Sequence, residues 1–451
     1  MKVPKLPGII FPLISLAIYS LGHGVLSTLV TVRLSAEGVS STWIGFVSSA
    51  YFAGLIVGTF VNARLIVSVG HIRAFAAYAS ILAAITLLLG LVVIPEFWVF
   101  MRFLGGFASG GLLVVIESWI LVTTPSVKRG QVMAAYMILF YGSMALGQMV
   151  LKNVDLNTLV PFAICAISAS LSVVPLALAR VNMPILEIGK NLPLRRLLRI
   201  TPAGITSSFA SGLLLGALYG LLPLFFASSG YDLGNTANMM AIVIVGGMAL
   251  QYPIGRLSDL TDRRIVLAAL FGISMVISIF FVWAAPTDNF WLTAGFIFLL
   301  GGTMFSMYPI SLSHACDEIE PNMVMSVNQG LLIAYSVGAM AGPAMAPLFI
   351  EVRGPLGLFA FFSVVCAATV VFLLYRRTRR EAVPLGEHFS HAMTIPNTPI
   401  MAEIDPRAEF PEVTPVMPEY ERRHPDFHPA DDEQHHPHDD LDHPTRRRTD
   451  F

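Results

Sequence analysis

Apolar residues arrive in long blocks, separated by short polar interruptions, through the first 375 positions of the chain. A helix needs about 20 apolar residues to cross a bilayer core about 30 Å thick. Twelve blocks reach that length, near residues 9–32, 42–62, 74–94, 97–122, 131–151, 158–179, 203–227, 236–255, 265–285, 290–314, 324–349 and 356–375. Lipid offers open backbone no hydrogen-bond partner, so each block is predicted to be a helix. The first block follows Lys2 and Lys5, as the apolar part of a secretion signal would. It is longer than such a part and lacks an obvious cleavage site, so it reads as a first span.

The interruptions orient the chain. With a cytoplasmic N-terminus, the inner loops and flanks carry Lys2, Lys5, Arg64, Arg73, Lys128, Arg129, Arg180, Lys190, Arg195, Arg196, Arg199, Arg256, Arg263, Arg264, Arg376, Arg377, Arg379 and Arg380. The outer loops carry Arg33, Lys152 and Arg353. This asymmetry follows the positive-inside rule and puts both termini in the cytoplasm.

The longest inner connection, Arg180 to Thr201, is the basic link expected between two halves. Sliding the chain by 192 residues lays Gly24 on Gly216, Gly38 on Gly230 and Gly54 on Gly246, and the loop Val67–Arg73 on Asp259–Ile265. The expected architecture is an all-α membrane protein of twelve transmembrane helices in two pseudo-symmetric six-helix bundles. Its parts are a first bundle at 1–179, a basic linker at 180–202, a second bundle at 203–375 and a tail at 376–451. Parallel repeats put a substrate path at the interface of the halves near the midplane.

Composition agrees. The chain is 55% hydrophobic and 13% charged, with a mean hydropathy of +0.70. Soluble domains average about 45–50% apolar and about 25% charged residues. The net charge of −1 hides a division: residues 381–451 hold 16 acidic residues and 6 arginines, leaving 22 basic and 13 acidic residues in 1–380. The Pro-, His- and acid-rich tail has too little clustered apolar surface to order itself, and is expected to be disordered in the cytoplasm. Its run His435, His436, His438, Asp439, Asp440 and His443 has metal-compatible ligands, but a solvated acidic chain explains it, and no metal site is expected. Cys165, Cys316 and Cys366 show no CxxC spacing and read as small core residues. The basic link suits anionic lipid better than nucleic acid.

Several motifs carry a resemblance. Gly255-Arg-Leu-Ser-Asp259-Leu-Thr-Asp262-Arg263-Arg264, after the eighth span, resembles the cytoplasmic loop motif of the major facilitator superfamily. The copy after the second span is degraded, with Ala63, Val67, Gly70, His71 and Arg73 at the matching places. Arg102-Phe-Leu-Gly-Gly106-Phe-Ala108 is similar to that superfamily's Arg-x-x-x-Gly-x-Gly signature. Ser143, Gly147 and Gln148 replace the Gly-x-x-x-Gly-Pro of drug–proton antiporters, while the eleventh span keeps Gly338, Gly342 and Pro343. Val114-Val-Ile-Glu117-Ser118, Ala134-Ala-Tyr136-Met, the stretch Leu215–Leu224 and Gln251-Tyr-Pro253-Ile-Gly-Arg-Leu resemble the YcaD-type branch of uncharacterised bacterial permeases. The resemblance covers about residues 10–375 and is nearly silent on substrate.

Glu117 is the leading candidate for chemistry. A carboxyl within an apolar span is expensive and marks a pathway, a proton relay or a packing partner. Arg102 lies on the same helical stripe, about 22 Å away at 1.5 Å per residue, so the two are not one ion pair. Both are expected along one aqueous cavity; the alternative for Arg102 is to snorkel to the outer interface. His23 could titrate with coupling protons. Tyr19, Gln148, Tyr219, Gln251, Tyr308, Asn328 and Tyr335 are polar at helical depth, as substrate contacts or interhelical hydrogen bonds. The resemblance implies a cytoplasmic gate of Gly255, Asp259, Arg263, Arg264, Gly70 and Arg73, with Asp259 near the start of the fifth span. Because Val67 breaks the first copy, Asp317, Glu318 and Glu320 are expected to meet Arg64 and Arg73.

The function expected is secondary active transport of a small solute across the inner membrane by alternating access, with possible proton coupling. The carrier would be monomeric, without cofactor or catalytic site, its partners being the solute, protons and the bilayer. The alternative is a transporter-like sensor or scaffold acting through the acidic tail.

Overall fold

The computed structural model describes residues 8–124, 128–179, 198–284, 289–319 and 323–379, with Thr394 and Pro396 from the tail, all within the compact unit Met1–Glu409. The linker lies largely outside the described residues, and so does the tail with its histidine run.

The described chain is helical. The first half contributes α1 (Ile10–Ala36), α2 (Ser41–Val69), α3 (His71–Leu91), α4 (Pro95–Thr123) and α5 (Arg129–Val150). It ends with α6, which runs as Val160–Leu171 and Val173–Leu178 with an interruption at Ser172. The second half contributes α7 (Pro202–Ser228), α8 (Leu233–Asp259), α9 (Arg263–Ala284), α10 (Phe290–Asp317), α11 (Val324–Arg353) and α12 (Gly357–Arg379). Eleven stretches among the described residues are long and apolar enough to cross a membrane. The last of them, Ser326–Arg379, contains both α11 and α12, which meet at a 3-10 turn, Gly354–Leu356. Several helices outrun their apolar blocks: α2 continues to Val69 and α11 to Arg353, because backbone hydrogen bonding carries a helix past the hydrocarbon edge into polar residues.

The packing repeats itself. α1 lies on α5 as α7 lies on α11, α2 on α4 as α8 on α10, and α3 on α6 as α9 on α12. Between the halves, α2 meets α11 and α8 meets α5. The three glycine pairs aligned by the 192-residue offset play equal parts. A Cβ on Gly24 would overlap the Met144 backbone of α5, and one on Gly216 would overlap the Ala339 backbone of α11. Gly54 and Gly246 meet the carbonyls of Phe103 and Phe298 in the same way, at the α2–α4 and α8–α10 crossings. Gly38 and Gly230 both have positive φ, 72° and 85°, at the turns that follow α1 and α7. In lipid no hydrophobic effect pulls helices together, so close backbone approach of this kind supplies the packing energy.

Apolar side chains cover the outside. Leu146, Val276 and Val371 are 62–67% exposed, which in water would make adhesive patches and in lipid is the expected surface. Trp283 and Trp291 are exposed near the neighbouring ends of α9 and α10, where interfacial aromatic residues sit.

Candidate transport cavity

A cavity of about 100 Å³ lies between the halves. α1, α2, α4 and α5 line it from one side, and α7, α10 and α11 from the other. The halves touch at one end of it. Thr31 Oγ1 donates to the Gly220 carbonyl at 2.8 Å, Thr42 Oγ1 to Glu351 Oε1 at 2.6 Å, and Gly45 faces the Pro343 carbonyl. This is the end bearing Arg33 and Arg353, opposite the loop Asp259–Arg264. Pro396 also lines the cavity, and the Thr394 carbonyl accepts a long 3.4 Å hydrogen bond from Gln251.

Of the expected contact residues, Tyr19, His23, Arg102, Tyr219, Tyr308 and Tyr335 line the cavity. On the first half they form a cluster around a residue the sequence reading passed over. The His23 ring stacks on Tyr19, centroids 5.6 Å apart, and lies 5.5 Å from Tyr51. The Arg102 guanidinium sits 4.4 Å from the Tyr51 centroid. Arg102 is 8% exposed, its Nε has no hydrogen-bond partner, and it makes no ion pair among the described residues. It does not snorkel outward; its head stays inside the bundle. Tyr19, His23, Tyr51 and Arg102 also line a smaller cavity of about 30 Å³ within the first half, so this cluster forms the wall between two spaces.

On the other side of the central cavity, Phe305 lies 5.8 Å from Tyr219 and reaches across to within 5.2 Å of Tyr141 of α5, and Tyr308 lies 5.2 Å from Tyr335. Tyr308 donates to Asn328 Oδ1 at 3.3 Å, placing Asn328 behind the wall. Tyr51, Tyr141, Phe305 and Ser336 went unremarked in sequence because an aromatic or serine within an apolar helix looks like core or helix packing. A signal for Tyr51 was nonetheless present: Gly106 announced a close helix contact without naming its partner.

Two expected contact residues, Gln148 and Gln251, do not line the cavity. Gln148 is fully buried, and its Nε2 donates to the Gly24 carbonyl at 2.7 Å, fastening α5 to α1. Gln251 is 2% exposed and reaches the Thr394 carbonyl. Glu117 does not line the cavity with Arg102 and His23. It is fully buried and accepts a 2.6 Å hydrogen bond from Tyr136 of α5. The expected shared passage for Arg102 and Glu117 is therefore not what this structure shows; both lie on α4, but Glu117 is enclosed against α5.

At the loop from α8 to α9, Gly255, Asp259, Arg263 and Arg264 come together. Arg263 is 1% exposed and binds Asp317 at 2.6 Å, Asp259 at 3.1 Å and Ser258 Oγ at 3.2 Å. Asp259 ends α8, which packs on α5, and pairs with Arg263. Arg264 binds Asp262 through Nη2, Nε and its backbone N–H, at 3.0–3.1 Å. Burial pushes the Asp262 carboxyl up, but the Arg264 bonds and charge outweigh it and hold it below the usual carboxylate range. In the first half, Gly70 turns the chain from α2 to α3 at φ 89°, and Arg73 and Arg64 are exposed without an ion pair among the described residues. Asp317 instead faces Arg263, and Glu318 lies 3.9 Å from His314, since both acids sit at the end of α10 beside α9; Glu320 lies outside the described residues.

Comparison with known proteins agrees with this architecture. The model of the Major Facilitator Superfamily matches residues 12–332. A protein of Escherichia fergusonii described as an uncharacterised MFS-type transporter, YcaD, is 30% identical over 375 residues, 82% of this chain and 96% of that one. Its counterpart in Escherichia coli is 31% identical over 363 residues, 80% and 93% of the two chains. Among solved structures, the nucleoside transporter NupG aligns with a TM-score of 0.65 at 14% identity, over 82% of this chain and 98% of that one. A D-xylose–proton symporter aligns at 0.65 and 13% identity, over 83% and 98%. The repeated helix packing, the cavity between the halves and the family match lead to one conclusion: this chain is a multi-pass membrane protein and belongs to the Major Facilitator Superfamily.

Proposed function

We propose that the protein is a secondary transporter that carries a small solute through the central cavity by alternating access. The observation that carries this reading is that one cavity is lined from both halves while their contacts Thr31–Gly220, Thr42–Glu351 and Gly45–Pro343 gather at one end. Rocking about the cavity would open that end and close the other, so that the solute meets each side in turn. The distribution of basic residues supports an outside location for the closed end and cytoplasmic termini, with Ser326–Arg379 counted as two crossings, and the bacterial relatives support an inner-membrane location.

Accessibility of a cavity residue tests the reading. Tyr335→Cys, with Cys165, Cys316 and Cys366 replaced by serine, should react with an impermeant maleimide from either side of the membrane. Bridging Thr42→Cys to Glu351→Cys with a short bis-maleimide should abolish labelling from the outside and preserve it from the cytoplasm. Labelling from one side under every condition would end the alternating-access reading.

Proton coupling, where present, would use Glu117. Its enclosure against Tyr136 suits a carboxyl whose protonation changes the packing of α4 on α5 rather than one that touches solute. Glu117→Gln in proteoliposomes should then remove the response of uptake to an imposed pH gradient.

A further inference from the structure

Among the described residues, the central cavity presents one guanidinium and no carboxylate. Its polar lining is made of tyrosine hydroxyls, serines and His23, and Arg102 stands among them with an unsatisfied Nε and the Tyr51 ring as its described neighbour. A buried cation without a counter-ion is costly, and attraction to an aromatic face recovers only a small part of that cost.

The internal repeat shows that the fold does not require this charge. Gly106 of α4 packs on the Tyr51 carbonyl of α2, and Gly301 of α10 packs on the Val243 carbonyl of α8. One turn before each glycine stand Arg102 and Ile297, in the parallel stretches Arg102-Phe-Leu-Gly-Gly106 and Ile297-Phe-Leu-Leu-Gly301. The same crossing is thus completed in the second half by Val243 and Ile297, both fully buried and apolar. Helix packing accounts for the glycines but not for the Arg102–Tyr51 pair.

We propose that the transported solute is an organic oxyanion with an apolar or aromatic body, and that Arg102 binds its carboxylate or phosphate group. A planar guanidinium offers a forked set of donors that matches such a group. Tyr51 holds the fork from behind. Tyr219, Phe305 and Tyr335 across the cavity, with Tyr141 beside Phe305, supply a ring-lined surface for the body of the solute, a division of labour usual for small-molecule sites. The unpaired cation and the bound anion neutralise each other, so the loaded cavity is less costly to enclose than the empty one.

This inference rests on the transporter reading, and its test separates the two. Benzoate, phenyl phosphate, benzamide and benzylamine share a ring and differ in charge. With the purified full chain in detergent, benzoate or phenyl phosphate at saturation should raise the unfolding midpoint by about 2 °C or more, and the amide and amine should not. Arg102→Gln should lose the shift, and Arg102→Lys should keep part of it. Equal shifts from benzamide or benzylamine, no shift from either anion, or a shift retained in folded Arg102→Gln would each overturn the proposal. The charge series on the wild-type chain decides even where a variant does not fold. In proteoliposomes, binding of benzoate without uptake would overturn the transporter reading and leave the anion site standing. Uptake of benzamide undiminished by Arg102→Gln would do the reverse.

Discussion

The guanidinium of Arg102 lies 4.4 Å from the ring centroid of Tyr51, and the backbone of that same tyrosine is seated against Gly106, one turn along α4. The two marked positions of the Arg-x-x-x-Gly signature therefore converge on a single residue of another helix. The glycine sets how close α2 comes to α4; the arginine uses that closeness.

A methyl group at Gly106 would overlap the Tyr51 carbonyl, whereas one at the adjacent Gly105 would meet nothing nearer than Ile85 at 3.9 Å. Gly106→Ala should lower stability by about 1–3 kcal/mol, as overpacked cores do. Gly105→Ala should be neutral or slightly stabilising, because alanine favours the helix. Thermal unfolding of the two variants in the same detergent checks the contrast, and equal midpoints would count against the α2–α4 contact.

The repeat predicts matched losses. Gly24→Ala and Gly216→Ala both push against the backbone of a partner helix, α5 and α11 respectively, while Gly272 and Gly295 have no atom within 4 Å of an added Cβ. The first two variants should unfold several degrees earlier than the wild type, and Gly272→Ala and Gly295→Ala should not. Loss at only one of the matched pair would show that the halves do not pack alike.

Arg263 is held by Asp317, Asp259 and Ser258 in a nearly dry site. Removing one partner of a buried ion pair costs about 3–5 kcal/mol when the other charge is stranded. Asp317→Ala leaves Arg263 with Asp259 and Ser258, so its cost should fall below that range. Arg263→Ala leaves the Asp317 carboxylate, 2% exposed, without this cation and should be the more damaging. A double-mutant cycle by thermal unfolding should show strong coupling between the two positions.

Tyr136→Phe removes the hydrogen bond into Glu117 and should cost about 1–3 kcal/mol, the cost of stripping a partner from a buried polar group. Glu117→Gln keeps an oxygen to accept that bond and should cost less. Unfolding midpoints rank the two, and the opposite order would show that charge, not the Tyr136 bond, stabilises this contact.

Asp262 has its carboxyl held below the usual range by Arg264. A carboxylate with a depressed folded pKa adds stability above its unfolded value of about 3.9 and loses it as pH falls through the folded value. Wild type should therefore exceed Asp262→Asn in midpoint at pH 6, and the gap should close as the pH falls below 4. A gap independent of pH would exclude the ion pair as its source.

Much of the fold was legible because lipid imposes a coarse rule. Apolar blocks of fixed length must be helices, and loop arginines report their side, so α1 through α12 could be placed to within a few residues at most ends. The shared offset of Gly24, Gly54 and Gly38 with Gly216, Gly246 and Gly230 anticipated equivalent contacts and turns. The site was harder to read. Gln148 and Tyr219 are both polar groups in apolar helices, yet one ties α5 to α1 and the other lines the cavity. Sequence spacing gives the face of a residue on its own helix, not what that face meets.

The chain's pattern of greasy blocks and basic loops determined by itself the helices, their order and the doubled plan, since each depends on the exchange of a segment between water and lipid. Which polar side chains share a space was decided only when the helices packed. Arg102 and Tyr51 are 51 positions apart, and Glu117, on Arg102's own helix, ends up against α5 instead of in the cavity. Burial and charge pairing are properties of distances between helices, and those distances come from glycine-to-backbone contacts that no single segment contains.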